Sequence, residues 1–139
     1  MNDKDIMDEI KKHEGYSDTV YIDSVGVPTV GYGHALLHGS KIPAVVADLL
    51  FEQDFNIAIK DYTILSNRWG IELNPVRRGI IVNMLFNMGM TRVSKFQNML
   101  TALLSKNYDK AADEMLNSRW ATQVGKRADE LAKKMRNGG

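Results

Sequence analysis

Between Glu14 and His34 the chain changes its period, and that change limits what it can fold into. Before it, Ile6, Met7 and Ile10 recur at helical spacing. Within it, Val20 to Ile22 and Val27 to Tyr32 read as two strands joined by the turn Asp23-Ser24-Val25-Gly26. After it, the patterns are helical to the end. One hairpin set among helices points to an α+β fold. The hairpin brings Asp23 and Thr29 close in space. Glu14 precedes a glycine at the end of a helical pattern. There the negative end of the helix dipole, together with burial, favours the protonated acid. Asp23 sits in a wetter turn and is expected to stay ionised. Two carboxyls in different environments suit glycoside cleavage, one donating a proton and the other handling water or the sugar cation. Thr29 is a second hydrogen-bond partner for that water.

Each of these residues has a plainer reading. A Glu before a helix-ending glycine is commonly solvated, an Asp opening a turn forms an Asx-turn, and Thr is simply a good strand residue. Gly31-Tyr32-Gly33 could mark any bend, and it lacks the Lys-Ser/Thr that ends a phosphate loop. What lifts the functional reading is that all of them occur in order in one short segment.

That order, Glu14, then Asp23-Ser24-x-Gly26-x-x-Thr29-x-Gly31-x-Gly33-His34, resembles the phage-type lysozymes, the endolysins of tailed phages. The resemblance implies a lysozyme-like fold, with a small β-hairpin lobe and a larger helical lobe joined by a long helix and a cleft between them. It implies that Glu14 is the general acid and that Asp23 and Thr29 position the attacking water. The family inverts the anomeric centre, which places the two carboxyls about 6.5–9.5 Å apart. The resemblance also implies a structural ion pair of His34 with Asp54, and substrate contacts from Asn87, Trp120 and Arg127. Arg127 follows Trp120 at the family's spacing and is expected to hold the catalytic Glu. Trp120 also reads as a core residue.

The remaining elements follow from pattern. Residues 3–13 form the first helix, with Asp3 as N-cap, and the resemblance packs this helix on the helical lobe. The small lobe spans residues 14–42. The connection after His34 is shorter than is common in the family. A linking helix runs over 43–65, with Ser40 as a candidate N-cap and Pro43 in its first turn. Ser66 to Gly70 reads as a loop. The helical lobe spans 66–139. Asn74-Pro75 opens a helix whose interior, Ile80 to Met88, is apolar on nearly all sides, and Gly89 is its C-cap. Further helices are expected over 92–104, 108–116 and 126–136.

At 139 residues the chain has the size of a single domain. With no cysteine it has no disulfide and no thiolate metal site, and its three histidines are scattered. No metal or cofactor is expected, because both the proton donor and the base are side chains. No apolar run is long enough to span a membrane. The start, Met1 to Ile6, lacks the regions of a signal peptide, so the product is expected to stay in the host cytoplasm until released to the wall. Charge is uneven: residues 1–91 hold 8 Lys+Arg and 12 Asp+Glu (−4), and residues 92–139 hold 10 and 5 (+5), which sum to the net +1. A basic C-terminal third suits an anionic polymer, whether wall or nucleic acid. The expected function is hydrolysis of the β-1,4 bond between N-acetylmuramic acid and N-acetylglucosamine in peptidoglycan by a monomer. A non-catalytic wall-binding or phage structural module is the alternative. A nucleic-acid-binding domain lacks any recognisable motif.

Overall fold

The computed structural model describes residues 2–139, and the chain forms two compact units, Met1–Ala44 and Val45–Gly139. Eight helices and one three-stranded antiparallel sheet among the described residues make it α+β, as anticipated.

The first unit begins with α1 (Asp3–Glu14). Its N-cap is Asn2 rather than the expected Asp3. The Asn2 side chain accepts from the Asp5 amide at 3.0 Å, and Asp5 accepts from the Asn2 amide at 3.2 Å, a reciprocal capping box. Asp3 has no comparable partner three residues on, because position 6 is Ile. Gly15, at φ 73°, ends the helix and donates to the Lys11 carbonyl at 2.9 Å. Glu14 is therefore the last helical residue.

Strand β1 (Ser17–Ile22) pairs antiparallel with β2 (Pro28–Gly31), with Tyr21 opposite Thr29 and Ile22 opposite Pro28. Gly31-Tyr32-Gly33 then turns the chain into a third strand, β3 (His34–Ala35), with Val30 opposite His34. This strand went unread in the sequence because two residues carry no period.

The second unit holds the hydrophobic core. Helix α2 (Ala44–Trp69) runs well past the expected end at 65 and takes in most of the predicted loop. Leu65 is fully buried, Trp69 packs against the core, and Ile71 is buried just beyond the helix. Burying such apolar groups, at about 1.5–3 kcal/mol each, outweighs the weak helix propensities of Ser66 and Asn67. Helix α3 (Pro75–Met88) starts at Asn74, whose side chain accepts from the Arg77 amide at 2.8 Å. It contributes Ile80, Ile81, Val82, Met84 and Leu85 to the core, which fits its all-round apolar sequence.

The single helix expected over 92–104 is two, α4 (Met90–Ser94) and α5 (Gln97–Leu104). Lys95 and Phe96 between them donate back three residues, to Arg92 and Val93, in a tighter turn. Helices α6 (Tyr108–Leu116), α7 (Arg119–Val124) and α8 (Lys126–Asn137) complete the unit. Met99, Leu100, Leu103, Met115 and Met135 from these helices join Met84 in its centre.

Candidate active site

The first unit carries three chemically distinctive groups, and its backbone sets each of them. Asp23 opens the β1–β2 turn. One carboxylate oxygen, Oδ1, accepts from the Val25 amide at 2.9 Å and from the Val27 amide at 2.8 Å. The Asp23 amide donates to the Val27 carbonyl at 2.9 Å. Thr29 donates its hydroxyl to that same carbonyl at 2.9 Å. The backbone of Val27 thus anchors both side chains. Asp23 is an Asx-turn former, as its plainer reading had it. The turn uses one oxygen alone, and Oδ2 accepts no hydrogen bond among the described residues.

Thr29 is 4% exposed and is the one buried polar residue among those described. Because its proton is committed to Val27, its oxygen is left as an acceptor. Thr29 Oγ1 and Asp23 Oδ2 are thus each left as hydrogen-bond acceptors.

Glu14 is exposed, so the burial expected for it is not found. Its position is set by contact with the β2–β3 turn. The site where Gly33 would carry a Cβ lies 2.9 Å from the Glu14 carboxyl carbon, and its Oε2 is closer still. Lys11, one turn earlier on α1, sits 5.0 Å over the Tyr32 ring, and Tyr16 meets Tyr32 at 5.2 Å. The end of α1 therefore rests on the turn that begins the Gly-x-Gly-His motif. His34 is exposed on β3.

The other expected residues belong to the second unit. Asp54 is exposed on α2. Arg127, half-buried near the start of α8, donates from Nε at 2.9 Å and from Nη2 at 2.7 Å to the side-chain oxygen of Asn83. Both line a cavity of about 330 Å³ walled by Phe51, Phe55 and Phe86. Trp120 is buried and donates its indole N–H to Asn87 Oδ1 at 2.7 Å. The two expected sugar contacts are thus bonded to each other, and among the described residues the Asn87 NH₂ donates to no partner. Trp120 also meets Phe96 edge-on at 6.3 Å.

Sequence reasoning gave no role to three residues that the structure brings into these contacts. Asn83 was detectable as one polar residue inside the apolar run of α3. Gly33 was visible as part of a bend and of the family motif, with no role attached to it. The Val27 backbone has no side-chain signal. Among the described residues no cluster of His, Cys, Asp or Glu could hold a metal ion.

A family model described as phage lysozyme matches residues 11–137. The chain is 29% identical over 154 residues to a probable T4-type lysozyme of Dictyostelium discoideum, across 91% of this chain and 90% of that protein. It is 29% identical over 114 residues to the endolysin of Salmonella phage P22, across 77% of this chain and 75% of that one. It is also 28% identical over 149 residues to the pre-baseplate central spike protein of Enterobacteria phage T4, across 88% of this chain and 26% of that protein.

Proposed function

The chain belongs to the phage lysozyme family, a muramidase-type peptidoglycan hydrolase, and on that footing we propose its bond, mechanism and residues. The bond cleaved is the β-1,4 link between N-acetylmuramic acid and N-acetylglucosamine, and the mechanism inverts the anomeric carbon. Glu14 in its acid form gives its proton to the glycosidic oxygen as the bond to the anomeric carbon breaks. A water held by Asp23 and Thr29 attacks that carbon from the opposite face. The proton it sheds passes to the Asp23 carboxylate. Arg127, Asn87 and Trp120 of the second unit serve as glycan contacts.

The observation that supports this reading best is the double anchorage on Val27. It leaves one Asp23 oxygen and the Thr29 lone pairs as acceptors on side chains held by the same residue, as a water shared between them would require. A nucleophilic carboxylate would have no use for the threonine.

Clearing of a bacterial wall suspension tests the assignment. Glu14→Gln keeps the shape of the side chain and removes its acidity, so clearing should slow by about 10²-fold or more. A Glu14→Gln variant as fast as the native chain would remove Glu14 from the mechanism. NMR of the first-formed reducing sugar tests the water attack: inversion gives the α-anomer first, and an initial β-anomer would exclude it.

A further inference from the structure

On the second unit an open cavity of about 340 Å³ gathers three cations. Arg92 comes from α4, Lys95 from the break between α4 and α5, and Arg119 from the first position of α7. All three are exposed. Among the described residues none of them forms an ion pair, and no carboxylate lines the cavity. The rings of Phe96 and Trp120 form its aromatic wall, and the unbonded amide of Gln123 stands at its edge. The indole N–H of Trp120 is already taken by Asn87, so the wall offers this cavity no donor of its own. An adjoining cavity of about 200 Å³ shares Lys95, Phe96 and Ser118 and is lined by one carboxylate, Glu114.

Like charges brought to one concave surface repel each other, and no acidic side chain lines this one to offset them. Such a surface is stabilised by an anion. A lone monocarboxylate would balance one charge of three. A phosphate group offers tetrahedrally arranged oxygens, and a phosphodiester polymer supplies a row of such single charges, which two guanidinium forks and an ammonium can share.

We propose that this cavity binds phosphate groups, and that its ligand in the bacterial wall is a phosphodiester polymer that tethers the enzyme beside its substrate. The site goes beyond the hydrolytic reading and does not depend on it. Binding by Glu14→Gln protein should match the native chain, so a failed mechanism would leave this test intact. Tethering raises the local concentration of enzyme on the wall without adding any contact to the reacting sugar.

The two tryptophans supply the readout. In ¹⁵N-labelled protein the indole N–H signals of Trp69 and Trp120 are separate probes, and Trp120 lines the cavity. Titration with inorganic phosphate at constant ionic strength should shift the Trp120 signal saturably and leave Trp69 in place. Poly(glycerol phosphate) should bind more tightly per chain than the monomer, because neighbouring phosphates re-engage the site. Arg92→Gln or Arg119→Gln should each weaken binding about tenfold or more, the effect of one lost charge-assisted contact. Arg92→Lys keeps the charge but loses the fork, and should fall between the native chain and Arg92→Gln. These side chains are exposed, so the variants should fold normally, and cleavage of a soluble, polymer-free glycan should be unchanged. An unsaturable shift, an equal shift with sodium chloride, or unchanged binding by Arg92→Gln and Arg119→Gln would overturn the site. Tighter binding of succinate or a stem-peptide carboxylate than of phosphate would overturn the ligand.

Discussion

Glu14 has room for its carboxyl group because residue 33 has no Cβ. Gly33→Ala should therefore act on catalysis through a neighbour. The new methyl group must displace the acid, and the φ of 73° adds strain of about 1 kcal/mol. A displacement near 1 Å can lower the rate about 10²-fold, so Gly33→Ala should clear walls about a hundred times more slowly while its circular dichroism stays native. Unchanged clearing would mean that the contact does not position the acid. Thr29 is tested by a pair of substitutions. Thr29→Val keeps the volume and removes the oxygen, and should slow cleavage about tenfold or more, the effect of one lost acceptor. Thr29→Ser restores the oxygen and should recover most of the rate. Glu14, Asp23 and Thr29 could be proposed from the sequence because their chemistry lies in side chains packed into one short ordered segment. Val27 and Gly33 were not. A backbone amide carries no residue identity, and a missing Cβ matters only once the fold has brought something against it.

At the level of helices, α3 and α8 are fastened at two places. Asn83 on α3 holds Arg127 near the start of α8. Arg77, two residues after the start of α3, donates at 2.8 Å to the Met135 carbonyl and at 3.2 Å to that of Arg136, near the end of α8. Its guanidinium lies 3.5 Å from the centre of the Tyr108 ring, and a Cβ at Gly138 would meet it at 2.8–2.9 Å. A cation there satisfies carbonyls that the end of the helix leaves open. Arg77→Lys keeps the charge but cannot make both bonds and stack at once. It should lower stability by about 1–2 kcal/mol in urea unfolding. A loss indistinguishable from zero would show that solvent caps the helix equally well. The helix interiors were readable from their period, whereas their ends were less so. The break at Lys95 and Phe96 interrupts no apolar pattern, since Val93, Met99 and Leu100 are all buried on either side of it. Tertiary packing decides where such a run bends.

Across the whole molecule, stability rests mainly on the core of the second unit, and one titratable group there ties it to pH. Burial raises the Tyr62 phenol above the usual 10.0, partly offset by the nearby Arg78 cation, whose guanidinium lies 5.4 Å from the ring. The folded state thus favours the neutral phenol more than the unfolded chain does. That contribution is fully present below about pH 10 and is lost as pH rises towards the folded value. Tyr62→Phe should therefore lose less stability than the native chain between about pH 8 and about pH 11, measured by urea unfolding. Parallel losses would mean that the phenol titrates normally. The linear pattern was enough for the α+β class, the helices and the hairpin, because period and turn chemistry act over a few residues. It was enough to propose three residues that act on the glycosidic bond, because they sit close together in the chain. Distances of tens of residues were beyond it. The pairing of Asn83 with Arg127, the bond from Trp120 to Asn87 and the gathering of Arg92, Lys95 and Arg119 came only with the packed helices, because burial and charge at those positions depend on neighbours remote in the chain.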